Sequence, residues 1–289
     1  MYYKVLEVCD DNDSKLYRKK LSFMGKFALI MIILLLLVAL IAPFFLPYTP
    51  DVIDLDNRFS PISTEHFLGT DHLGRDIFTR LIFGARISLF SVGIILVCVM
   101  FLGISIGGIA GFFGGKIDKF IMRLCDLFLS LPTIVLSLFL VGILGAGLEN
   151  VMFAIALTHW AWYARIIRSI VLGLKHREFV LLSQVYGASN WQIFKRNMLT
   201  PILTQCFVLA TMDIGHIMLH IAGLSFLGLG VQPPQAEWGV MLSDSKDYVF
   251  SNPELLLYPG LALFIAVALF NMLGDSLRDY FDCDSNIIH

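Results

Sequence analysis

The stretch ATMDIGHIMLHIAG, residues 210–223, sets Asp213, His216 and His220 at i, i+3 and i+7, on one face of a helix, with Met212 and Met218 beside them. One carboxylate and two imidazoles in a stripe can line a path for a cation or a metal chelate, and imidazole suits nickel, cobalt, copper and zinc. His216 and His220 are the candidate metal contacts. Their contacts are expected to be brief, because a path must release what it binds. A second reading stays open: the three side chains could hydrogen-bond across helices and only fix a bundle.

The question of cost arises because the surroundings are apolar. The 289 residues are 57% hydrophobic and 15% charged, and the mean hydropathy is +0.77. Soluble domains carry roughly 25% charged residues, so a water-soluble protein is excluded. An ionised group at mid-bilayer costs about 2.5–3.5 kcal/mol on insertion scales, and each one asks for a reason.

The first apolar run, 27–46, is long enough to cross a bilayer and ends in Pro-Phe-Phe-Leu-Pro, unlike a cleaved signal, so it is expected to be an uncleaved span. Further runs lie near 87–113, 124–147, 151–170, 200–222 and 257–276. Six spans place both termini on one side. Sixteen of the 21 Lys and Arg fall on that side; Arg58, Arg75, Arg80, Arg86 and Lys246 fall on the other. The positive-inside tendency makes the termini cytoplasmic. The expected parts are a cytoplasmic tail over 1–24, a first span and extracytoplasmic loop over 25–86, a five-span core over 87–278, and a second tail over 279–289. Five scattered cysteines suggest neither a disulfide framework nor a metal knuckle.

In the outer loops, Ile77, Leu81 and Ile82 beside Arg75, Asp76 and Arg80 suggest an interfacial amphipathic helix leading into the second span. VQPPQAEWG, with Trp238, suggests a stiff turn at the membrane surface. His66 and His72 beside Asp71 could touch a delivered metal complex, although surface histidines are mostly just solvated. His159, Trp160 and Trp162 fit an aromatic belt at one end of a span. Asp126 and Asp275, near cytoplasmic span ends, are expected to be interfacial or paired with Arg123 and Arg278.

REFVLLSQVYGASNWQIFKRNMLTPIL, 177–203, is amphipathic and broken. Phe179, Leu182 and Tyr186 form one stripe, and Gly187 stands where a left-handed residue would end the helix. Ser189-Asn-Trp-Gln192 has the spacing of a capping box. Trp191, Phe194 and Met198 repeat the stripe, with Lys195 and Arg196 opposite. The expectation is two short helices meeting at a glycine corner, an apolar knob that either fills a groove or lies on lipid.

This segment resembles the cytoplasmic coupling loop of binding-protein-dependent ABC importer permeases. Gly187, Ala188-Ser189 and the hydrophobic residues up to Leu199 carry the likeness. The family's Glu-Ala-Ala positions read Leu181-Leu182-Ser183 here, and its closing proline is Pro201, one place late. FLGTDHLGRDIFTRLIFGARISL at 67–89, LSFLGLG at 224–230, PPQAEWGVML at 233–242 and NMLGDSLRD at 271–279 resemble the second permease of the dipeptide/oligopeptide/nickel group. DIGHIMLHIAGLSFLGLG and HWAWYARIIRS look closer to its nickel and metal–metallophore permeases.

The resemblance implies an all-α membrane protein of six transmembrane helices, a type I importer permease with a cytoplasmic coupling helix-turn-helix, in a bacterial plasma membrane. It implies a partner permease, two ATPase subunits and an extracytoplasmic binding protein, with no nucleic-acid partner. Glu178, Gly187, Ala188, Ser189, Trp191, Phe194 and Arg196 would meet the ATPase. His66, Asp71, His72, Glu237 and Trp238 would meet the binding protein. Asp213, His216, His220, Met212 and Met218 would line the path.

GFFGGKID at 111–118 lacks the spacing and hydroxyl of a phosphate-binding loop, so ATP is expected to be used by the partners, and no cofactor to be bound here. No local nucleophile–base arrangement and no HExxH is present, so an enzyme is not expected. The cargo expected is nickel, cobalt or zinc, free or chelated; a dipeptide or oligopeptide is the alternative, and a proton-coupled secondary metal transporter a further one.

Overall fold

A computed structural model describes residues 21–282. Most of the two tails, with Cys9, Lys15, Arg18, Lys19, Lys20 and Cys283, lies outside the described residues. The described chain is built from α-helices with short 3-10 turns and a single isolated bridge between Thr70 and Asp76.

Helix α1 spans Phe23–Ile41, opened by Ser22, whose hydroxyl accepts from the Gly25 N–H at 3.0 Å. Helix α2 runs from Ile77 to Phe113 without interruption, so the amphipathic entry and the second span are one 37-residue rod. Asp76 caps its start, accepting from the Thr79 N–H at 2.8 Å. Gly114, at φ 67°, ends it.

The third run is broken. Helices α3 (Gly115–Leu129) and α4 (Thr133–Leu144) meet at 85° across Ser130–Pro132. Pro132 cannot continue a helix, having no N–H to give and a ring that fills the preceding turn. Helix α5, Leu148–Lys175, lies at the centre, packed most extensively on α2 and also on α3, α4 and α8. Its approach to α2 is close. A Cβ on Gly107 would stand 2.3 Å from the Ala164 carbonyl oxygen, so only glycine fits there.

Helices α6 (Glu178–Val185) and α7 (Asn190–Ile193) form the elbow, and α8 spans Leu199–Phe226. Between α7 and α8 the chain makes one π turn, Phe194–Met198, with the Leu199 N–H bonded to the Phe194 carbonyl. Pro201 supplies the cause: it has no N–H for the Asn197 carbonyl, and widening the turn relieves its ring. The second elbow helix is therefore not a separate element, as the sequence suggests, but the foot of a continuous helical run over Asn190–Phe226. Helices α9 (Trp238–Ser245) and α10 (Glu254–Asp282) complete the chain, α10 packing on α8 and α1.

Four runs are long and apolar enough to cross a bilayer: Phe23–Phe44, Ile77–Phe113, Asn190–Phe226 and Glu254–Phe281. The bent pair α3–α4 makes a fifth if it is one span. Helix α5 has the length, 28 residues or about 42 Å. Its polar groups turn inward and keep it from qualifying on composition: Thr158 and Tyr163 are buried, and Arg168 pairs with Asp118.

Candidate functional site

Asp213 sits midway along α8 with 5% of its surface exposed. Its Oδ2 accepts two hydrogen bonds from α5, from the Tyr163 O–H at 3.1 Å and from His159 Nε2 at 2.8 Å. His159 and Tyr163 are i and i+4, so one face of α5 presents both donors. This carboxylate is thus tied down inside the bundle and does not stand free in a path.

The Asp213 cluster borders a cavity of about 880 Å³ between α4, α5, α8 and α10. His159, Trp162, Met212, Asp213, His216 and His220 line it together with Gln205, Asn271, Asp275 and Arg278. Along α8 the lining extends from Gln205 to His220, about 22 Å. The histidines differ sharply. His216 is open, 76% of its side chain exposed, and its Nδ1 stays 3.9 Å from Asp213 Oδ1, beyond a hydrogen bond. His220 is half-buried, its Nδ1 is shut off from solvent without a partner, and its ring centre is 6.4 Å from that of His159. Met218 is buried at 2% and is absent from the cavity wall, so it belongs to the core. Among the described residues no three His, Cys, Asp or Glu side chains converge to hold a metal.

His159, Trp160 and Trp162 form no belt. His159 is at mid-helix, Trp160 is 4% exposed against Phe128, and Trp162 faces the cavity. The HWAWY run carried the signal: His159 and Tyr163 share a face and needed only a buried acid. Asp126 pairs with Arg165, not with Arg123, because α3 folds back along α5. Asp275 and Arg278 both line the cavity.

At the elbow, α6 closes with the Ala188 N–H on the Ser183 carbonyl at 3.0 Å and the Gly187 N–H on the Gln184 carbonyl at 2.9 Å, with Gly187 at φ 78°. That is a Schellman closure. Ser189 and Gln192 form a reciprocal capping box. The apolar residues divide: Val180, Ile193 and Met198 are buried, whereas Phe179, Leu182, Tyr186 and Trp191 are exposed. Met198 therefore leaves the outward stripe, and Phe194 is half-buried between Trp191 and Phe112. Asn197 Nδ2 donates to Ser183 Oγ at 2.7 Å, binding α6 to the foot of α8. A notch of about 670 Å³ is lined by Phe179, Gly187, Ala188, Gln192 and Arg196. Glu178 and Ser189 are exposed nearby.

The opposite end of the bundle is closed by charge. Arg75 and Arg80, expected on an interfacial amphipathic helix, are 2% and 1% exposed. Arg75 holds Asp71 at 2.7 Å and Asp244 at 2.9 Å, and Arg80 donates to the Pro50 carbonyl at 3.0 Å. Glu237 caps α9, accepting from the Val240 N–H and from Ser88, each at 3.0 Å. Trp238 donates to the Leu81 carbonyl at 3.0 Å. Asp71, Glu237 and Trp238 are all buried, so they shape these loops from inside and offer no surface to a docking protein. His66 is bonded to Asp76 at 3.0 Å, and His72 stacks on Tyr248; neither is simply solvated. Burial lowers the His72 pKa below its ordinary value; Asp71 opposes that and Arg75 adds to it.

Residues 103–284 match the family described as the binding-protein-dependent transport system inner membrane component. The chain belongs to that family. Residues 16–61 of this permease also match the N-terminal TM domain of oligopeptide transport permease C. The permease is 52% identical over 257 residues to the nickel transport system permease protein NikC of Escherichia coli K12, covering 89% of this chain and 93% of the relative. It is 40% identical over 269 residues to the dipeptide transport system permease protein DppC of Alkalihalophilus pseudofirmus, covering 93% and 87%. To the metal-staphylopine import system permease protein CntC of Staphylococcus aureus Mu50 it is 39% identical over 251 residues, covering 87% of each.

Proposed function

We propose that this permease is the membrane subunit of an ATP-driven importer for a transition metal (nickel, cobalt or zinc), free or carried by a small chelator. The observation that carries the reading is the imidazole-lined cavity. His159, His216 and His220 gather with Asp213 in one cavity of an otherwise apolar bundle. Imidazole favours borderline divalent metals over magnesium or calcium. The 52% identity to a nickel permease supports the same cargo over a dipeptide.

In this reading the permease is paired with a second permease, two ATPase subunits and an extracytoplasmic binding protein, in a bacterial plasma membrane with both termini cytoplasmic. Helix α5 is a sixth crossing, shielded at the centre. ATP is used by the partner subunits, and this chain binds no cofactor. The elbow, with Gly187, Ala188 and Arg196 around its notch and Trp191 exposed, meets an ATPase. The continuous run Asn190–Phe226 gives the coupling a physical form, because a displacement at Trp191 moves the rod that carries Asp213 and His220. Small elbow shifts then tilt the cavity wall, a rigid-body form of gating.

The deciding experiment is uptake of radioactive nickel into vesicles carrying the full complex, with a dipeptide as competitor. ATP- and binding-protein-dependent nickel uptake that excess dipeptide leaves intact is expected. Uptake of dipeptide without nickel would assign the peptide cargo. Nickel uptake that persists without the ATPases and collapses with the proton gradient would assign a secondary transporter.

A further inference from the structure

We propose that the metal-handing station of this permease is the imidazole pair His159–His220, drawn from two different helices, and that Asp213 is its positioning residue. This rests on the metal-import reading above. It differs from the sequence expectation, in which His216 and His220 serve and Asp213 faces the cargo.

The argument begins at the carboxylate. An ionised Asp213 only accepts hydrogen bonds, and Tyr163 and His159 both point donors at its Oδ2. His159 therefore directs an Nε2–H at the carboxylate, which leaves Nδ1 as the ring nitrogen that can ligate. A carboxylate fixing one ring nitrogen so that the other can ligate is the usual outer arrangement of metal-binding histidines. His159 is bonded through Nε2 to a buried acid and borders the cavity, so it meets both conditions.

His220 supplies the second donor. Its Nδ1 is buried with no hydrogen-bond partner, an unfavourable state that calls for a visiting group. The two rings are 6.4 Å apart between centres and inclined at 77°. With metal–nitrogen bonds of about 2 Å on either side, one ion bridges such a pair in a nearly linear arrangement, and a side-chain shift of about 1 Å brings the two nitrogens to a tetrahedral angle. His216, exposed and 3.9 Å from the carboxylate, has no comparable orienter.

Two protein donors are few for a site that stores metal, and few is what transit requires. With no third His, Cys, Asp or Glu converging among the described residues, the remaining positions stay with water or with the carried chelator. The ion can then leave along the cavity, whose wall Gln205 and Asp275 share.

The test uses the complete complex in proteoliposomes with Ni2+ as the probe. His159→Gln keeps an N–H for Asp213 but removes the imidazole, and His220→Ala removes the other ring. Each is expected to raise the half-saturating Ni2+ concentration at least tenfold, with co-purification of the partner subunits read alongside as evidence of assembly. Asp213→Asn is expected to raise it about tenfold through loss of ring orientation, with partial rescue by Asp213→Glu. His220→Cys adds a readout that a folding defect cannot produce: Zn2+ should inhibit Ni2+ uptake about tenfold more strongly than in the wild type, because thiolate favours zinc. Half-saturation within twofold of wild type in both His159→Gln and His220→Ala would overturn the pair, as would a larger loss from His216→Ala than from His220→Ala. Absence of Ni2+ uptake by the wild-type complex, with dipeptide uptake intact, would instead sink the metal-import reading itself.

Discussion

Arg75 and Asp244, 169 residues apart in the chain, meet at 2.9 Å between Nη2 and Oδ2. The same carboxylate oxygen is 3.5 Å from Arg80 Nη2, so one acid serves two guanidinium groups that are nearly sealed from solvent. Through this contact the segment before α2 is locked to α9. The bonds from Arg80 to the Pro50 and Pro234 carbonyls draw in both outer loops.

Removing that acid leaves buried positive charge without an acceptor. Asp244→Ala is expected to destabilise the permease by about 3–5 kcal/mol, the usual cost of breaking a buried pair from one side. Thermal unfolding of the detergent-purified complex measures it. A loss below about 1 kcal/mol would mean that Asp71 alone satisfies both arginines. Asp244→Asn, which keeps an acceptor, should lose less.

His72 gives this end of the molecule a pH dependence of predictable sign. Burial, the largest influence, lowers its folded pKa below 6.5, with Arg75 and Arg80 pushing the same way against Asp71 and Asp244. The folded state therefore binds the proton less readily than the unfolded chain does. The stabilisation is complete above pH 6.5 and is lost as pH falls through 6.5 toward the folded value. Hydrogen exchange in residues 70–76 and 244–249 should speed up over that window. His72→Phe keeps a ring against Tyr248, 5.2 Å away, and should flatten this slope. An unchanged slope would assign the effect to another group.

Gly187 tests the elbow separately from its packing. A Cβ there meets nothing within 4 Å, so the only obstacle to substitution is φ at 78°. Left-handed backbone costs an ordinary residue roughly 1–2 kcal/mol, and asparagine less. Gly187→Asn should retain most uptake. Gly187→Val, which is β-branched, should insert and assemble but lose coupling between ATP hydrolysis and transport. Equal uptake by both variants would mean that the corner angle does not matter.

How far the sequence could be read depended on the range of the interaction. The corner at Gly187, the box at Ser189 and Gln192, and the apolar runs are local patterns, written within eight residues or one span. The break at Pro132 was also local, but the apolar run continued through it and masked it. The pairing of His159 with Asp213 joins positions 54 apart, and that of Arg75 with Asp244 positions 169 apart. Nothing in the spacing of one segment announces its partner in another. Arg75 and Arg80 read as the polar side of an interfacial helix for that reason: a charge is placed at a surface until its acceptor is known. Asp213 and His220 likewise fell on one stripe by count, although neighbouring helices give them opposite circumstances, one held through Oδ2 by two donors and the other with an idle nitrogen.

Helix α2 supplies a pair of glycines with opposite expected outcomes. Gly107 lies where α2 crosses α5, and its added Cβ would fall 2.3 Å from the Ala164 carbonyl oxygen, with the Ala164 backbone carbons at 2.9 Å. Backbone cannot step aside as a flexible side chain can, so Gly107→Ala must push the two helices apart. Gly103 and Gly111 pack against α5 at similar range, so the shift would open contacts on both sides. A loss of at least about 3 kcal/mol is expected, comparable to a severe core substitution. Gly93, also within α2, has nothing within 4 Å of its Cβ position. There, alanine removes only glycine's helix penalty, so Gly93→Ala should stabilise the purified permease by up to about 1 kcal/mol. Thermal unfolding of the two variants side by side measures the contrast. If Gly107→Ala matches Gly93→Ala, then α2 and α5 do not approach at the backbone, and the placement of His159 opposite Asp213 loses its support.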